Sequence, residues 1–243
     1  MRSKIEQLKK LIKNSNNIVF FGGAGVSTES GIPDFRSKDG LYNIKYKYPP
    51  EEILSRDFFV KHPEDFYEFY RDKLNSLEVR PNITHYALAK LESLGKLKCV
   101  ITQNIDGLHQ KAGSKNVVEL HGSILRNYCT KCRKFHGPES IFATQDLSVC
   151  ECGGIIKPDV ILYQEPLKQT SVVSALDAIE QCDLLIVGGT SLTVYPAASY
   201  VMNFRGKNLV IINKDTTEYD YRASLVINTS LGDVFSKVMA DYE

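Results

Sequence analysis

Apolar and polar positions follow two rhythms along this chain. Ile5, Leu8, Leu11 and Ile12 recur at helical spacing in a charged N-terminal stretch, which predicts an amphipathic helix. The run Asn17-Ile18-Val19-Phe20-Phe21 is unbroken and stops at Gly22-Gly23, so it reads as a buried strand. Thr84 to Leu94 has helical spacing and is closed by Gly95. Leu97 to Thr102 and Val117 to Leu120 read as strands, Ser171 to Gln181 as a helix, and Asp183 to Val187 as a strand again. Pro196 opens a predicted helix reaching Phe204. Strands are expected at Leu209 to Ile212 and Leu225 to Ile227, and a last helix from Val234 to Tyr242. Apolar strands alternating with helices imply an α/β fold: a Rossmann-like parallel sheet with helices on both faces.

Residues 125–157 break this rhythm. Four of the six cysteines fall here, as Cys129-x-x-Cys132 and Cys150-x-Cys152. Clustered thiols in a cytosolic chain point to a metal before disulfides. A closed four-thiolate set leaves no open position for chemistry, so one structural Zn²⁺ per chain is expected. Gly153-Gly154 would give the backbone freedom to close the narrower second pair. The flanks Ile124 to Tyr128 and Ile155 to Pro158 are expected to pair as strands. The chain therefore divides into a Rossmann-like domain, residues 1–124 and 158–243, and an inserted zinc module, 125–157. Residues 37–77, aromatic and partly helical, are expected to cover the sheet edge. Cys99 and Cys182 adjoin strands and read as core residues.

Composition is that of an ordinary globular protein, with 43% hydrophobic and 24% charged residues in 243. A formal net charge of +1 makes no electrostatic case for nucleic acid or an anionic membrane. No apolar run approaches the roughly 20 residues of a bilayer span. The N-terminal stretch is too charged for a secretory signal. A cytoplasmic monomer is expected.

Gly22-Gly23-Ala24-Gly25-Val26-Ser27 follows the first strand. Glycines there let a backbone turn tightly and approach a pyrophosphate, and a helix opening near Ser27 would aim its N–H groups at the phosphates. A tight turn without a ligand explains the same residues equally well. The third glycine of the usual fingerprint is missing, since Thr28 stands in its slot, and no acidic residue follows at the expected spacing. An ordinary hydride-transfer dehydrogenase is a poor fit.

The string Gly23-Ala24-Gly25-Val26-Ser27-Thr28-Glu29-Ser30-Gly31-Ile32-Pro33-Asp34-Phe35-Arg36 resembles the sirtuin signature at every fixed position. Thr102-Gln103-Asn104-Ile105-Asp106-Gly107-Leu108-His109, His121-Gly122 and Gly189-Thr190-Ser191-Leu192 match further blocks in order. The four cysteines lie where that family keeps its zinc. The length fits the minimal-core type of bacteria and archaea.

The resemblance implies an NAD-dependent protein-lysine deacylase. In such enzymes the acyl-lysine carbonyl oxygen attacks the ribosyl C1′ of the co-substrate NAD, giving free lysine, nicotinamide and O-acyl-ADP-ribose. It makes His121 the general base, a role imidazole suits near neutral pH. Asn104 would orient the ribose and a water. Asp106 and the Ile105 backbone would hold the nicotinamide carboxamide, which needs both a donor and an acceptor. Phe35 would shield C1′, and Arg36 would meet ribose or phosphate oxygens. Gly23, Ala24, Gly25, Thr28, Asp34, Gln103, Gly189, Thr190 and Ser191 complete the expected cofactor shell. Asn213, Asp215, Asp233 and Val234 are its adenine-side candidates.

An acyl-lysine peptide would add as a strand between Val160, Ile161, Leu162 and Tyr163 on one edge and Val194 and Tyr195 on the other. The family's F-G-E ending reads Tyr163-Gln164-Glu165 here, with Gln164 in place of glycine. Succinyl-selective relatives carry Tyr-x-x-Arg. This chain has Tyr70 and Lys73, and lysine lacks the bidentate fork, so uncharged acyl groups are expected to be preferred. Transfer of ADP-ribose to a protein is the alternative activity, and a non-catalytic NAD or ADP-ribose sensor the third reading.

Overall fold

The structure is a computed structural model that describes residues 1–35, 40–43 and 45–242. Its larger sheet is parallel throughout, in the order β3-β2-β1-β7-β8-β9. These strands are β1 (Ile18–Gly22), β2 (Leu97–Thr102), β3 (Val117–Glu119), β7 (Leu184–Gly188), β8 (Asn208–Ile212) and β9 (Leu225–Ile227). β1 shows why an unbroken apolar run is needed. Ile18 and Phe20 enter the core on one face, and Val19 and Phe21 enter the core on the other. The first face is covered by α1 (Arg2–Asn14), α5 (Ile83–Ser93) and α9 (Leu231–Met239). The second is covered by α8 (Gln169–Gln181) and the 3₁₀ turn Ala197–Asn203. The order reverses between β1 and β7, so both strands point their carboxyl ends at one crevice, where open α/β sheets bind ligands.

A second, antiparallel sheet holds β4 (Gly122–Cys129) between β5 (Phe135–His136) and β6 (Ile156–Val160). Helices α2 (Pro50–Ile53), α3 (Arg56–Lys61), α4 (Pro63–Leu74) and α7 (Glu139–Phe142) pack on it. Phe58, Phe59, Phe66, Tyr67, Phe69 and Tyr70 are buried there with Ile124, Val160 and Leu162, so the aromatic stretch shares one core with the small sheet. Tyr67 fastens it further by donating its hydroxyl hydrogen to the Ile156 carbonyl. Among the described residues no helix is long and apolar enough to cross a membrane.

Three elements depart from the sequence reading. No helix opens near Ser27: two 3₁₀ turns, Ala24–Val26 and Thr28–Ser30, stand there, ended by Gly31 at φ 90°. Left-handed Gly31 and the following Pro33 stop any helix from propagating. The helix expected from Pro196 to Phe204 is instead a 3₁₀ turn, Ala197–Asn203. Ser199 and Asn203 bond back to the carbonyls of Pro196 and Tyr200, three residues earlier, and so favour the tighter winding. The last helix begins at Leu231 and not at Val234, because Ser230 caps it by accepting from the Asp233 N–H at 3.3 Å.

Candidate active site

The crevice is built by three strand exits. Gly25 N–H donates to the Gly189 carbonyl at 2.8 Å, and Gly23 N–H to the Gly188 carbonyl at 3.3 Å. A Cβ on Gly25 would lie 2.8 Å from the Gly189 Cα, and one on Gly23 2.8 Å from the Thr190 Cβ. The two loops thus touch backbone to backbone, which only glycine allows. From β2, Gln103 N–H donates to the Gly22 carbonyl at 3.0 Å, and its amide reaches the Thr190 hydroxyl at 3.2 Å. Thr28 binds the Gly25 carbonyl at 3.1 Å. Ser191 pairs with the Thr193 hydroxyl at 2.8 Å.

Asn104 and Asp106 meet at Ser27. The Ser27 hydroxyl donates to Asp106 Oδ2 at 2.7 Å and accepts from Asn104 Nδ2 at 3.0 Å. Asp106 Oδ1 accepts from the Leu108 N–H at 2.9 Å, at the start of α6 (Leu108–Lys111). Burial raises Asp106 above the usual carboxylate range, while these donors pull the other way. Ser27 is 1% exposed. Sequence reasoning gave it no role of its own, and its place inside the glycine string was the only signal.

His121 lies beside the same strand exit. Its Nδ1 sits 2.9 Å from the Gln103 carbonyl, one residue before Asn104. A carbonyl can only accept, so Nδ1 carries the proton and Nε2 is left as the basic nitrogen. Burial lowers the imidazole's pKa, opposed by the Gln103 carbonyl, so the ring is neutral at neutral pH. The glycine after it is forced: Gly122 has φ 81°, and a Cβ there would fall 1.8 Å from the Asp159 carbonyl oxygen. The His121 carbonyl also accepts from the Ile161 N–H at 3.0 Å, so the histidine is fixed to the candidate peptide edge.

Asp34 and Phe35 lie in the loop after the 3₁₀ turns, and Phe35 packs on Tyr42 with ring centroids 5.5 Å apart. Arg36 falls outside the described residues. The Ile105 carbonyl accepts from the Ile124 N–H at 2.9 Å. The adenine-side candidates lie on neighbouring segments: the Gly189 N–H donates to the Ile212 carbonyl at 3.1 Å, just before Asn213, and the Gly232 N–H donates to Glu29 Oε2 at 2.8 Å, just before Asp233. Asn213 bonds to the Asp215 carbonyl at 2.9 Å, Asp233 is in the first turn of α9, and the Val234 side chain is fully buried in the core.

On the peptide side, β6 ends at Val160. Leu162 is buried, whereas Tyr163 and Tyr195 are exposed. Beyond Val160 the chain is a loop tied to the small lobe by a parallel bridge between Tyr163 and Ser55. The Tyr42 and Tyr163 hydroxyls hydrogen-bond across it, and Val194 accepts from the Ala198 N–H at 2.9 Å. A network of charges, also missed in the sequence, supports this edge: Arg126 pairs with Glu119 at 2.7 Å and Asp159 at 3.0 Å.

Two further histidines, His109 and His85, face each other in the core with ring centroids 4.8 Å apart. Burial pushes His85 down to about 4 and His109 down to about 3. The unfolded chain binds these protons near the ordinary histidine pKa of about 6.5 and the folded chain does not, so stability falls as pH drops below that value. Between about pH 6.5 and 5 each residue is expected to remove on the order of 1 kcal/mol per pH unit. Urea unfolding across that window should show this slope and a shallower one for His109→Asn; a flat parent profile would contradict it.

The four cysteine sulfurs lie within 4.8 Å of one another. Cys129 to Cys152 is 3.4 Å and Cys132 to Cys150 is 3.8 Å. Tetrahedral zinc with Zn–S of about 2.3 Å requires sulfurs about 3.8 Å apart, so the set fits the metal. Lys131 and Cys132 N–H groups point at the Cys129 sulfur, at 3.3 and 3.4 Å, and the donors lower its thiol to about 6. Gly153 takes φ 76°. A Cβ on Gly154 would meet the Cys129 sulfur at 2.6 Å. Both glycines are therefore needed to close the C-x-C pair.

The model of the Sir2 family matches residues 23–196. An NAD-dependent protein deacetylase of Clostridium perfringens is 58% identical over 243 residues, covering 98% of this chain and all of its own. One from Clostridium acetobutylicum is 55% identical, covering 97% of this chain and 98% of its own. Among solved structures, a Sir2 with a deacetylated p53 peptide and 3′-O-acetyl-ADP-ribose superposes with a TM-score of 0.89 at 38% identity, covering 98% of each chain. A Sir2 bound to acetylated peptide gives 0.89 at 37% identity, again over 98% of each.

Proposed function

The chain belongs to the Sir2 family, and from that membership and the crevice we infer that it is an NAD-dependent protein-lysine deacetylase. The observation that carries the reading is the junction of Asn104, Ser27 and Asp106 beside a neutral, oriented His121. NAD supplies a ribosyl carbon with nicotinamide as leaving group, and the acyl-lysine oxygen is its acceptor.

The chain's own residues do the rest. Gly23, Ala24, Gly25, Thr28, Asp34, Gln103, Gly189, Thr190 and Ser191 line the pyrophosphate and ribose side, with Asn213, Asp215, Asp233 and Val234 toward the adenine; Val234 would act through its backbone. Asp106 and the Ile105 amide hold the carboxamide, and Phe35 excludes water. Asn104 orients the ribose. His121 Nε2 accepts a ribose hydroxyl proton and returns it later. Positioning of this kind is worth about 7–11 kcal/mol. Zinc, held by Cys129, Cys132, Cys150 and Cys152, braces the small lobe and takes no part in the chemistry. The peptide adds between Val160–Tyr163 and Val194–Tyr195, bonding only where this edge leaves main-chain groups free, since those of Leu162 and Tyr163 are already paired within the chain. A cytoplasmic monomer without nucleic-acid partners is the setting we propose.

Uncharged acyl groups are the proposed substrates. Tyr70 is buried between Phe66 and Phe142. Lys73 pairs with Asp72 at 2.9 Å, which supports the absence of an anion-binding pair. Acetyl- and succinyl-lysine peptides, each with and without NAD, test both statements. Nicotinamide and O-acetyl-ADP-ribose are expected in step with free lysine, with the acetyl peptide turned over at least about tenfold faster. A faster succinyl reaction would overturn the selectivity, and an ADP-ribosylated protein as the product would overturn the reaction.

A further inference from the structure

We propose that Gln164 is a positioning residue for the peptide substrate, holding rigid the edge along which the acyl-lysine strand pairs; this rests on the deacetylase reading above. Gln164 has φ 72°, in the left-handed region that a residue with a Cβ rarely adopts. A left-handed backbone thus stands, with a side chain attached, where the F-G-E pattern has its glycine. Its side chain holds that shape: Oε1 accepts from the Asp57 N–H at 3.0 Å. Asp57 is in the first turn of α3, whose leading N–H groups need acceptors. Ser55 serves Phe58 at 3.2 Å, and Gln164 serves Asp57 from the adjoining loop, bridged to Ser55 through Tyr163.

The neighbours of Gln164 are already committed. Tyr163 N–H donates to the Leu54 carbonyl at 2.9 Å, and its carbonyl accepts from the Arg56 N–H at 3.0 Å. Leu162 N–H donates to Glu165 Oε2 at 3.0 Å, and its carbonyl accepts from the Glu165 N–H at 3.0 Å. Gln164 is exposed, and neither its own N–H nor its carbonyl has a hydrogen-bond partner among the described residues. Strand addition uses main-chain groups of this kind. The side chain anchors the loop from behind while the main chain faces the incoming peptide. A glycine would offer the same two groups from a looser loop, which the peptide would have to order on binding.

Steady-state kinetics of the full chain on an acetyl-lysine peptide, with Gln164→Gly and Gln164→Glu, test this. Gln164→Gly should raise the peptide KM about three- to tenfold, the factor expected from losing one cap. NAD KM and kcat should stay within about twofold. Gln164→Glu keeps the acceptor oxygen and should bring the peptide KM back to within about twofold of the parent. An unchanged peptide KM in Gln164→Gly, or NAD and peptide KM rising together with a fall in melting temperature, overturns the proposal and leaves a merely structural residue. An inactive parent overturns the deacetylase reading and this proposal with it; an active parent indifferent to Gln164→Gly overturns this one alone.

Discussion

His121→Ala is expected to lower deacetylation about 10²–10⁴-fold, the usual contribution of a positioned general base. NAD affinity should move little. Among the described residues the His121 side chain bonds to the Gln103 carbonyl through Nδ1, and it is not among the fully buried core side chains. The direction of the pH effect follows from the same geometry. Catalysis needs the neutral ring, and burial favours the neutral ring, so the acid limb of kcat/KM should lie below the ordinary histidine value of about 6.5. Single-turnover product formation with parent and variant, followed across pH, checks both statements. A variant forming O-acetyl-ADP-ribose at the parental rate would move the base elsewhere.

Loss of the metal should be as damaging, by a different route. The zinc-bearing sheet is not remote from the chemistry. β4 starts at Gly122, directly after His121, and β6 ends at Val160, where the candidate peptide edge begins. Their pairing sets Gly122 against Val160. Structural zinc contributes about 10–16 kcal/mol in small peptides, comparable to the whole stability of a domain at about 5–15 kcal/mol. Chelation, or Cys150→Ser, should therefore unfold the small lobe and abolish activity while much of the parallel sheet's circular dichroism survives. The purified protein should carry about one zinc per chain, as a closed four-thiolate site demands. Full activity in metal-free protein would contradict a structural role.

Strands were legible in the sequence because β1, β7 and most of β8 are buried on both faces, which calls for apolar runs such as Val19-Phe20-Phe21. The cysteines were legible because thiolate spacing is local. Turns near Ser27 and Pro196 were misread because their winding depends on single side-chain and glycine choices that periodicity does not record. The site itself was legible only through the resemblance. Ser27 and Asp106 are 79 positions apart, and nothing local says that one hydroxyl joins Asp106 to Asn104. The clash that forces Gly122 comes from Asp159, and the cap for Asp57 from Gln164. Each is a contact between distant segments that topology creates and that one-dimensional pattern leaves unmarked.

The most direct measurement follows the oxygen atom. An acetyl-lysine peptide labelled with ¹⁸O in its acetyl carbonyl is incubated with the protein and NAD, and the products are weighed by mass spectrometry. If that carbonyl oxygen is delivered to the ribose in the crevice of His121, Asn104 and Asp106, the label is recovered in O-acetyl-ADP-ribose. Label found wholly in free acetate, beside unlabelled ADP-ribose, would mean that water cleaves both bonds independently and that no such shared site operates.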